Sequence, residues 1–426
     1  MDVALTTYRA AIDALFTRTT GVWKLGLERV NALLERLGNP HRSLTVLHVG
    51  GTNGKGSVVA MADSILRARG LRVGRYTSPH LIDFRERILV DRTPIGEDEV
   101  LEFLERWTPE AERLGATFFE ITTALALEHF AKANVDVAVV EVGLGGRLDA
   151  TNVVTPRAAV VTSIALDHTE WLGDSIEAIA GEKAGIFKQG RAAVIGEQDT
   201  AIAHLLSRLA REHEARPVIC AAERGTIEDV QLTARGTSFI IEGNTSLSVT
   251  TPLHGRHQAA NAMTTLVALD AAGLAPWPTK DLMVIPPAAL PGRFQRVGRW
   301  IFDVAHNPSG AEVLAETLRA VNPPKPLVVL LAVLGDKDWR AIMRSLADVA
   351  DAVVLTRPPS APPARVWNVD EALAFARTLA WQAVAEAEFD AAISRAESMG
   401  ATILITGSFH TVGDAMARLQ VNPLDG

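Results

Sequence analysis

The sequence predicts an α/β protein in which a larger domain with a mainly parallel sheet precedes a smaller, Rossmann-like α/β domain. Apolar runs rich in valine and isoleucine alternate with helix-like stretches. These runs are continuous rather than alternating in polarity, as expected of parallel strands that are covered on both faces. A proline-rich segment at 285–294 separates two series of such units, which indicates an interdomain linker.

Composition and charge limit the classes of function. The chain has 426 residues, of which 48% are apolar, and a net charge of -8. It can therefore bury more than one core, and it lacks the positive field that draws proteins to nucleic acid or anionic lipid. The single cysteine, Cys220, excludes an intramolecular disulfide framework and suits a reducing compartment. No secretory signal and no apolar run of membrane-spanning length is visible, so we expect a cytoplasmic protein.

The first series of units supplies the larger domain. Its strands are predicted at 45–49, 135–142, 158–164 and 191–195, and its helices at 57–69, 122–132 and 175–183. Gly70 follows the first of these helices at the position where a left-handed residue commonly ends a helix. Between 214 and 251 the strands become short and polar, as at 238–241, which indicates a small antiparallel excursion.

The second series supplies the smaller domain. Its strands are predicted at 300–304, 327–333, 352–355 and 402–406, with helices between them and a surface loop at 357–365. From this pattern the predicted division is an N-terminal domain at 1–286, a linker at 287–292 and a C-terminal domain at 293–426.

The strongest local signal is the glycine-rich stretch VLHVGGTNGKGSVV at 46–59. Glycines allow a loop between strand and helix to direct its N–H groups at phosphate oxygens, and Lys55 adds a positive charge. Ser57 could offer its hydroxyl to a phosphate-bound magnesium ion. The match to the general P-loop pattern is imperfect, because Gly56 separates the lysine from the serine. The alternative is an ordinary glycine-rich turn.

Three further residues are placed by the predicted strands and helices. Glu141 ends an apolar strand, where open parallel sheets carry their binding and catalytic groups, and could hold a metal ion. His168 follows the next strand, and Lys183 lies on the helix after it. From position alone, each has an ordinary alternative: a solvated glutamate, a structural histidine and a surface lysine.

Taken together, these stretches resemble the dihydrofolate synthase and folylpolyglutamate synthase family of the Mur ligase superfamily. The resemblance runs from Gly26 to Gly413. It is carried by GTNGKGS, YTSPHL, EVGLGGRLDATN, LDHTEWLG, EKAGIFK, HQAANA, PGRFQ, DVAHNPSG, GDKDW and TGSFHTVGD, in that order. It implies a P-loop, Mur-ligase-like central domain, with ATP bound between that domain and the smaller C-terminal domain.

The resemblance also implies a set of nucleotide and metal contacts. The ATP contacts would be Gly51, Thr52, Asn53, Gly54, Lys55, Gly56, Ser57, Asn261, Arg293 and Asp303. Magnesium would be held by Ser78, Glu141 and His168. Lys183 matches a lysine that the family carries as an N6-carboxylated side chain. Lys55, Lys183 and His168 would be the catalytic groups.

Substrate contacts are implied in the same way. Thr117, Phe119, Asp149 and Ala150 would form the dihydropteroate pocket, in which Phe119 stacks on the pterin and Asp149 accepts its ring N–H groups. The alternative for Phe119 is a core aromatic. His306 and Ser408 match positions near the incoming glutamate. The chain departs from the family at Trp23-Lys24-Leu25, where Ile-Asp-Leu is typical, which puts in doubt how the N-terminal loop closes.

The implied activity is an ATP-dependent carboxylate–amine ligation that forms ADP and phosphate through an acyl phosphate. The acceptors would be dihydropteroate and the γ-carboxylate of reduced folates, L-glutamate would be the amine, and the protein would act as a monomer. Two alternatives stay open. A Mur-type cell-wall ligase would carry a UDP-binding domain before the P-loop, whereas only 50 residues precede Gly51. A non-catalytic P-loop nucleotide switch would need no amino-acid site.

Overall fold

The computed structural model describes residues 7–17, 26–233, 236–288 and 290–424. Their strands form three sheets. The first sheet has eight strands in the spatial order β4-β3-β2-β5-β1-β6-β7-β8. These strands are β1 Val46–Gly50, β2 Val73–Tyr76, β3 Ile88–Val90, β4 Thr93–Pro94, β5 Val137–Glu141, β6 Ala158–Val161, β7 Ala192–Ile195 and β8 Val218–Cys220.

Helices cover both faces of this sheet because its central strands are apolar on both sides. From β2 to β8 the neighbouring strands run parallel, and β3 and β4 add an antiparallel edge. The helices of this part are α1 Tyr8–Phe16, α2 Glu28–Arg36, α3 Lys55–Ala68, α4 Glu97–Leu114, α5 Phe118–Lys132, α6 Thr169–Leu172, α7 Ile176–Ala184 and α8 Thr200–Glu212.

The second sheet has four strands in the order β12-β11-β10-β9. They are β9 Thr226–Thr233, β10 Gly236–Glu242, β11 Ser246–Thr251 and β12 Leu282–Val284, and α9 His257–Ala271 lies between the last two. Phe239 of this sheet shares one buried cluster with Val58 of α3 and Leu266 of α9. These two helices are therefore enclosed between the first and second sheets.

The third sheet belongs to the smaller unit and has the order β13-β14-β18-β15-β16-β17. Its strands are β13 Gln295–Val297, β14 Trp300–Phe302, β15 Leu327–Leu331, β16 Ala352–Leu355, β17 Gln382–Ala385 and β18 Thr402–Thr406. Its helices are α10 Pro308–Val321, α11 Trp339–Ala347, α12 Val369–Thr378, α13 Phe389–Met399 and α14 Phe409–Arg418. From β14 to β17 the neighbouring strands are parallel, and two separate buried clusters flank the sheet.

The predicted α/β class, with a large mainly parallel sheet and a separate smaller sheet, is confirmed. The antiparallel excursion is larger than expected, because β12 joins it from beyond α9 and makes it a sheet in its own right. Helix α5 begins at Phe118 rather than at 122. Thr117 and Glu120 form a capping box there, a signal that the sequence carries and the prediction overlooked.

Two further expectations concern membrane-spanning helices and the N-terminal loop. None of the helices in the described ranges combines the length and apolar character needed to cross a membrane. The unusual Trp23-Lys24-Leu25 stretch lies outside the described residues.

Candidate active site

Four neighbouring strands bring the predicted site residues to one edge of the first sheet. Strands β2, β5, β1 and β6 are adjacent and parallel, so their carboxyl ends meet at this edge. Glu141 is the last residue of β5, and the segments that follow β2, β1 and β6 contain Ser78, the glycine-rich loop from Gly51 and the stretch up to His168. The topology therefore converts four distant sequence motifs into one neighbourhood.

The glycine-rich loop is shaped by two positive backbone angles. Gly51 has φ 140, and a Cβ there would overlap the Thr162 hydroxyl, whereas Gly54 has φ 85 and caps α3. A Cβ on Gly54 would lie 2.5 Å from the Asn261 amide oxygen, so Asn261 of α9 packs directly against the loop. Because Gly54 closes the loop early, α3 begins at Lys55, and Ser57 is buried in its first turn.

The segment after β6 holds the loop in place. Thr52 N donates to Ser163 O at 2.7 Å, and Asn53 N donates to the Ser163 hydroxyl at 3.1 Å. The Thr162 hydroxyl donates to Asn53 O at 2.6 Å, and Ala165 N donates to the Thr52 hydroxyl at 3.0 Å. These contacts fix Thr52 and Asn53 from the side of β6.

Two lysines from different helices meet at one carbonyl of the loop. Lys55 Nζ donates to Gly51 O at 3.0 Å and to Thr52 O at 3.1 Å, and Lys183 Nζ donates to Gly51 O at 2.9 Å. Burial lowers the pKa of both amines. For Lys183, burial and the neighbouring Lys55 charge lower the pKa to about 7. The structure thus places the Lys183 amine on the glycine-rich loop, with a pKa that allows it to lose its proton near neutral pH.

Glu141, the last residue of β5, faces the same loop. Its Oε2 accepts a hydrogen bond from Ser78 N at 3.2 Å, and its Oε1 would lie 3.9 Å from a Cβ on Gly56. Burial raises the pKa of this carboxyl group, and the positive charge of Lys55 partly opposes that shift. Ser78 and Glu141 are therefore together, beside Lys55.

His168 is the third predicted magnesium ligand. It has φ 51 and precedes α6, and its side chain is 42% exposed. Burial lowers its pKa, the charge of Asp167 raises it, and the charges of Lys337, Lys55 and Lys183 lower it further.

The predicted magnesium ligands fit an ion that is shared with a substrate. Within the described ranges, no three His, Cys, Asp or Glu side chains form a cluster that could hold a metal ion. Mg²⁺ commonly takes only one or two carboxylates and completes its shell with phosphates and water. Glu141 faces the glycine-rich loop and can supply one such carboxylate, so the site does not need a closed set of protein ligands.

The predicted nucleotide contacts of the smaller domain are Arg293 and Asp303. Asp303 accepts hydrogen bonds from Phe294 N at 2.8 Å and Ala305 N at 2.9 Å. Arg293 lies with its guanidinium 5.3 Å from the centre of the Phe409 ring. Burial lowers the pKa of Arg293, and the negative charges of Asp303 in the smaller domain and Glu141 in the larger domain raise it.

An interdomain ion pair lies beside His168. Lys337 Nζ is 3.2 Å from Asp167 Oδ1, with both side chains 13% exposed, and Asn307 Nδ2 donates to Asp167 Oδ2 at 3.3 Å. Burial alone would raise the pKa of Asp167, but the charges of His168 and Lys337 lower it to about 2. Asp167, Lys337 and Asn307 stand in the stretches LDHTEWLG, GDKDW and DVAHNPSG, respectively. No role was predicted for them from the sequence.

The residues of the predicted pterin pocket surround the turn after β5. Phe119, half-buried in the first turn of α5, packs so closely on Gly143 that a Cβ there would overlap its ring. Asp149 accepts hydrogen bonds from Leu144 N at 2.8 Å, from Thr151 N at 3.0 Å and from the Thr151 hydroxyl. Asp149 therefore shapes the turn that contacts Phe119.

Two other members of this set have local structural duties. Thr117 caps α5, with its hydroxyl accepting from Glu120 N at 3.3 Å. Ala150 is buried and begins a 3-10 turn that runs to Val153. Both lie on the segments that carry Phe119 and Asp149.

His306 and Ser408 lie in the smaller domain near Arg293. The His306 ring is 5.7 Å from the Phe409 ring, and its Nδ1 is 2.9 Å from Val304 O. Burial and the Arg293 charge lower its pKa to about 4. Ser408 caps α14, because its hydroxyl accepts from Thr411 N at 3.0 Å. Its hydroxyl is thus already engaged, whereas His306 faces the Arg293–Phe409 pair.

Comparisons with known proteins agree on one family. Residues 49–269 match the Mur ligase middle domain, and residues 292–409 match the Mur ligase, glutamate ligase domain. The chain is 38% identical over 396 residues to the dihydrofolate synthase/folylpolyglutamate synthase of Escherichia coli, covering 92% of this chain and 90% of that protein.

Solved structures give the same answer. The Mycobacterium tuberculosis folylpolyglutamate synthase complexed with ADP superposes with a TM-score of 0.86 at 34% identity, covering 98% of this chain and 99% of that one. A bifunctional folylpolyglutamate synthase/dihydrofolate synthase with Mn, AMPPNP and L-glutamate bound has a TM-score of 0.80 at 32% identity, covering 98% and 99%.

Proposed function

This chain belongs to the dihydrofolate synthase/folylpolyglutamate synthase family of Mur ligases and is an ATP-dependent ligase, and we propose from this premise that it glutamylates two acceptors. One acceptor is the carboxylate of dihydropteroate. The other is the γ-carboxylate of a reduced folate. In both reactions L-glutamate provides the amine, and ATP is converted to ADP and phosphate.

One observation carries the proposal. Lys55 and Lys183 converge on the carbonyl of Gly51, with Glu141 turned toward the same loop from β5. Two amines and a carboxylate on a glycine-rich loop suit phosphoryl transfer, in which catalysis is mostly positioning and stabilisation of charge on the phosphoryl oxygens.

The reaction proceeds in two steps. The acceptor carboxylate attacks the γ-phosphorus, the bond to the β-phosphate oxygen breaks, and an acyl phosphate and ADP result. The glutamate amine then attacks the acyl carbon, phosphate leaves, and the amine gives up its proton. Lys55 stabilises negative charge on the transferred phosphoryl group, and Arg293 reaches the site from the smaller domain.

Ser78, Glu141 and His168 would hold Mg²⁺ beside the phosphates. When bound, the ion neutralises charge on the phosphoryl oxygens and orients them. Ser57, at the start of α3, would add its hydroxyl to the same ion. Asn261, packed against Gly54, would help to form the nucleotide site.

The substrates occupy two sides of the phosphate loop. Phe119, Asp149 and the turn after β5 would hold the pterin, with Thr117 and Ala150 at its border. His306 and Ser408 would lie near the incoming glutamate. We divide the chain into a P-loop domain at 1–286, a linker at 287–292 and a C-terminal domain at 293–426, and we propose that it acts as a monomer in the cytoplasm.

The central test is whether ADP release depends on both substrates. Purified protein with Mg²⁺ and ATP should form ADP over many turnovers only when dihydropteroate and glutamate are both present, and mass spectrometry should show dihydrofolate. A second reaction with tetrahydrofolate should yield products longer by one or more glutamates. Sustained ADP release without glutamate would favour a nucleotide switch, and ligation to a UDP-linked acceptor would favour a cell-wall ligase.

The interdomain ion pair should matter for the second step. Lys337→Met leaves Asp167 without its cation in a largely enclosed position, which loosens the docking of the smaller domain. We expect kcat/KM for glutamate to fall by about 10- to 100-fold, because small misplacements of a reacting group are costly. Lys325→Met is the matched control, because its pair with Asp351 is exposed. Equal kinetics for the two variants would contradict the role of Lys337.

A further inference from the structure

His48 is a polar side chain in the middle of an apolar strand. It lies in β1, between β5 and β6, and has no exposed surface. Its Nε2 is 2.8 Å from the Thr151 hydroxyl, but among the described residues its Nδ1 has no hydrogen-bond partner. Buried polar atoms are nearly always paired, so this exception calls for a physical reason.

The hydrogen bonds around Thr151 determine where the protons are. Asp149 Oδ1 accepts from Thr151 N and also contacts the Thr151 hydroxyl, while Oδ2 accepts from Leu144 N. Burial raises the pKa of Asp149, and the hydrogen bonds that converge on it from Thr151 and Leu144 oppose that shift. In its ionised form the carboxylate can only accept, so the Thr151 hydroxyl gives its single hydrogen to Asp149. The hydroxyl must then accept from His48, whose Nε2 carries the proton.

This assignment explains the unpaired ring nitrogen. A neutral imidazole protonated on Nε2 has a bare Nδ1, which is the atom without a partner. Burial, together with the charge of Lys188, lowers the pKa of His48 to about 3, which agrees with a neutral ring. His48, Thr151 and Asp149 therefore form a hydrogen-bond chain in which His48 donates to Thr151 and Thr151 donates to Asp149.

The last member of this hydrogen-bond chain, Asp149, lies at the predicted pterin pocket. Leu144, whose N–H donates to Asp149, follows Gly143, against which the Phe119 ring packs. If the carboxylate rotated, the turn that contacts Phe119 would lose its anchor. The orientation of Asp149 thus affects the wall of the pocket, although His48 itself lies inside the sheet.

We propose that His48 is a positioning residue of the acceptor pocket: by donating to the Thr151 hydroxyl, it directs that hydroxyl to Asp149 and fixes the turn that faces the pterin. This inference rests on the proposed function, because the pocket at Phe119 and Asp149 is part of that proposal. Within the described ranges, the Thr151 hydroxyl is the hydrogen-bond partner of the His48 ring, and Nδ1 has none.

Leucine and glutamine at position 48 separate this role from simple packing. His48→Leu removes the donor, and we expect the KM for dihydropteroate to rise about tenfold, with the KM for ATP within about twofold. His48→Gln keeps an N–H donor and should restore most of the loss. Calorimetric binding of dihydropteroate without ATP should show the same order of affinities.

Thr151 supplies an independent pair of variants. Thr151→Val should weaken dihydropteroate binding as His48→Leu does, whereas Thr151→Ser should not. Because both changes break one chain, the double variant His48→Leu/Thr151→Val should be little worse than either single variant. Additive losses would overturn the proposal. If His48→Leu fails to fold, Thr151→Val, Thr151→Ser and His48→Gln still decide it.

His41 is the matched control. It is also buried, and its Nδ1 also has no partner among the residues that the structure describes, but it makes no hydrogen bond to Thr151 or Asp149. His41→Leu should leave the KM for dihydropteroate unchanged. If the unmodified protein is active and His48→Leu also leaves the KM for dihydropteroate unchanged, the role of His48 is wrong but the proposed function stands. An unmodified protein that neither binds dihydropteroate nor forms ADP with it would overturn the proposed function.

Discussion

Replacing Lys55 by methionine is expected to lower kcat for ADP formation by roughly 1,000-fold. Lys55 Nζ lies on the carbonyls of Gly51 and Thr52, within the loop proposed to surround the phosphates. Removal of its charge takes away a cation of this loop that would stabilise the negative charge developing on the transferred phosphoryl group. The effect should fall mainly on kcat, because the charge grows in the transition state.

Lys132→Met provides the comparison for Lys55. Lys132 is an exposed helical lysine paired with Glu128 at 3.0 Å, and such pairs contribute little. Steady-state rates of ADP release for both variants, with melting temperatures to establish folding, would measure the difference. A folded Lys55→Met protein with near-normal kcat would show that the loop does not stabilise the transferred group.

The local parts of the site could be predicted because each depends on a short stretch of sequence. The β1–α3 unit follows from one apolar strand, a run of glycines and a helical repeat, and Gly70 takes the left-handed conformation expected after α3. The placement of Glu141 at the end of β5 followed from the apolar run before it. Such features need no knowledge of partners far along the chain.

The contacts between distant segments could not be predicted in this way. Lys183 was ambiguous as a helical lysine, and only the packing of α7 places its amine on Gly51. Asp167 and Lys337 pair across the two domains, which no periodic pattern encodes. Ser408, which stays a predicted contact of glutamate, also caps α14, a role that its position before this helix could have indicated.

The second sheet shows a related limit. Strand β9 is largely exposed along its length, so its side chains carry little of the burial pattern that identifies a strand. Strand β12 has three residues and joins β11 only after the whole of α9 has intervened. Its pairing depends on the packing of α3 and α9 rather than on its own sequence.

Replacing Lys183 by methionine is the second change with a large expected effect. Lys183 is 5% exposed, and burial together with the Lys55 charge lowers its pKa to about 7. Its amine is therefore largely neutral above this pH, and a neutral amine can attack CO2, lose a proton and become an N6-carboxylate. That product would place a negative charge beside the phosphate loop, where it could hold the metal ion. We expect Lys183→Met to lower kcat by roughly 100- to 1,000-fold.

Carbon-13 NMR with labelled bicarbonate tests the chemistry of Lys183 separately from its effect on rate. A carbamate signal should appear in the unmodified protein as the pH rises through about 7, and it should be absent from Lys183→Met. Lys188→Met is the control, because Lys188 follows on the same segment and its amine donates to Asn152 O at 3.1 Å rather than to the glycine-rich loop. It should retain both the signal and kcat.

Since burial disfavours the charged form of Lys183, its removal should not lower the melting temperature, so a fall in rate with unchanged stability would locate the effect in the chemistry. A Lys183→Met protein with normal kcat would exclude Lys183 from catalysis in either form.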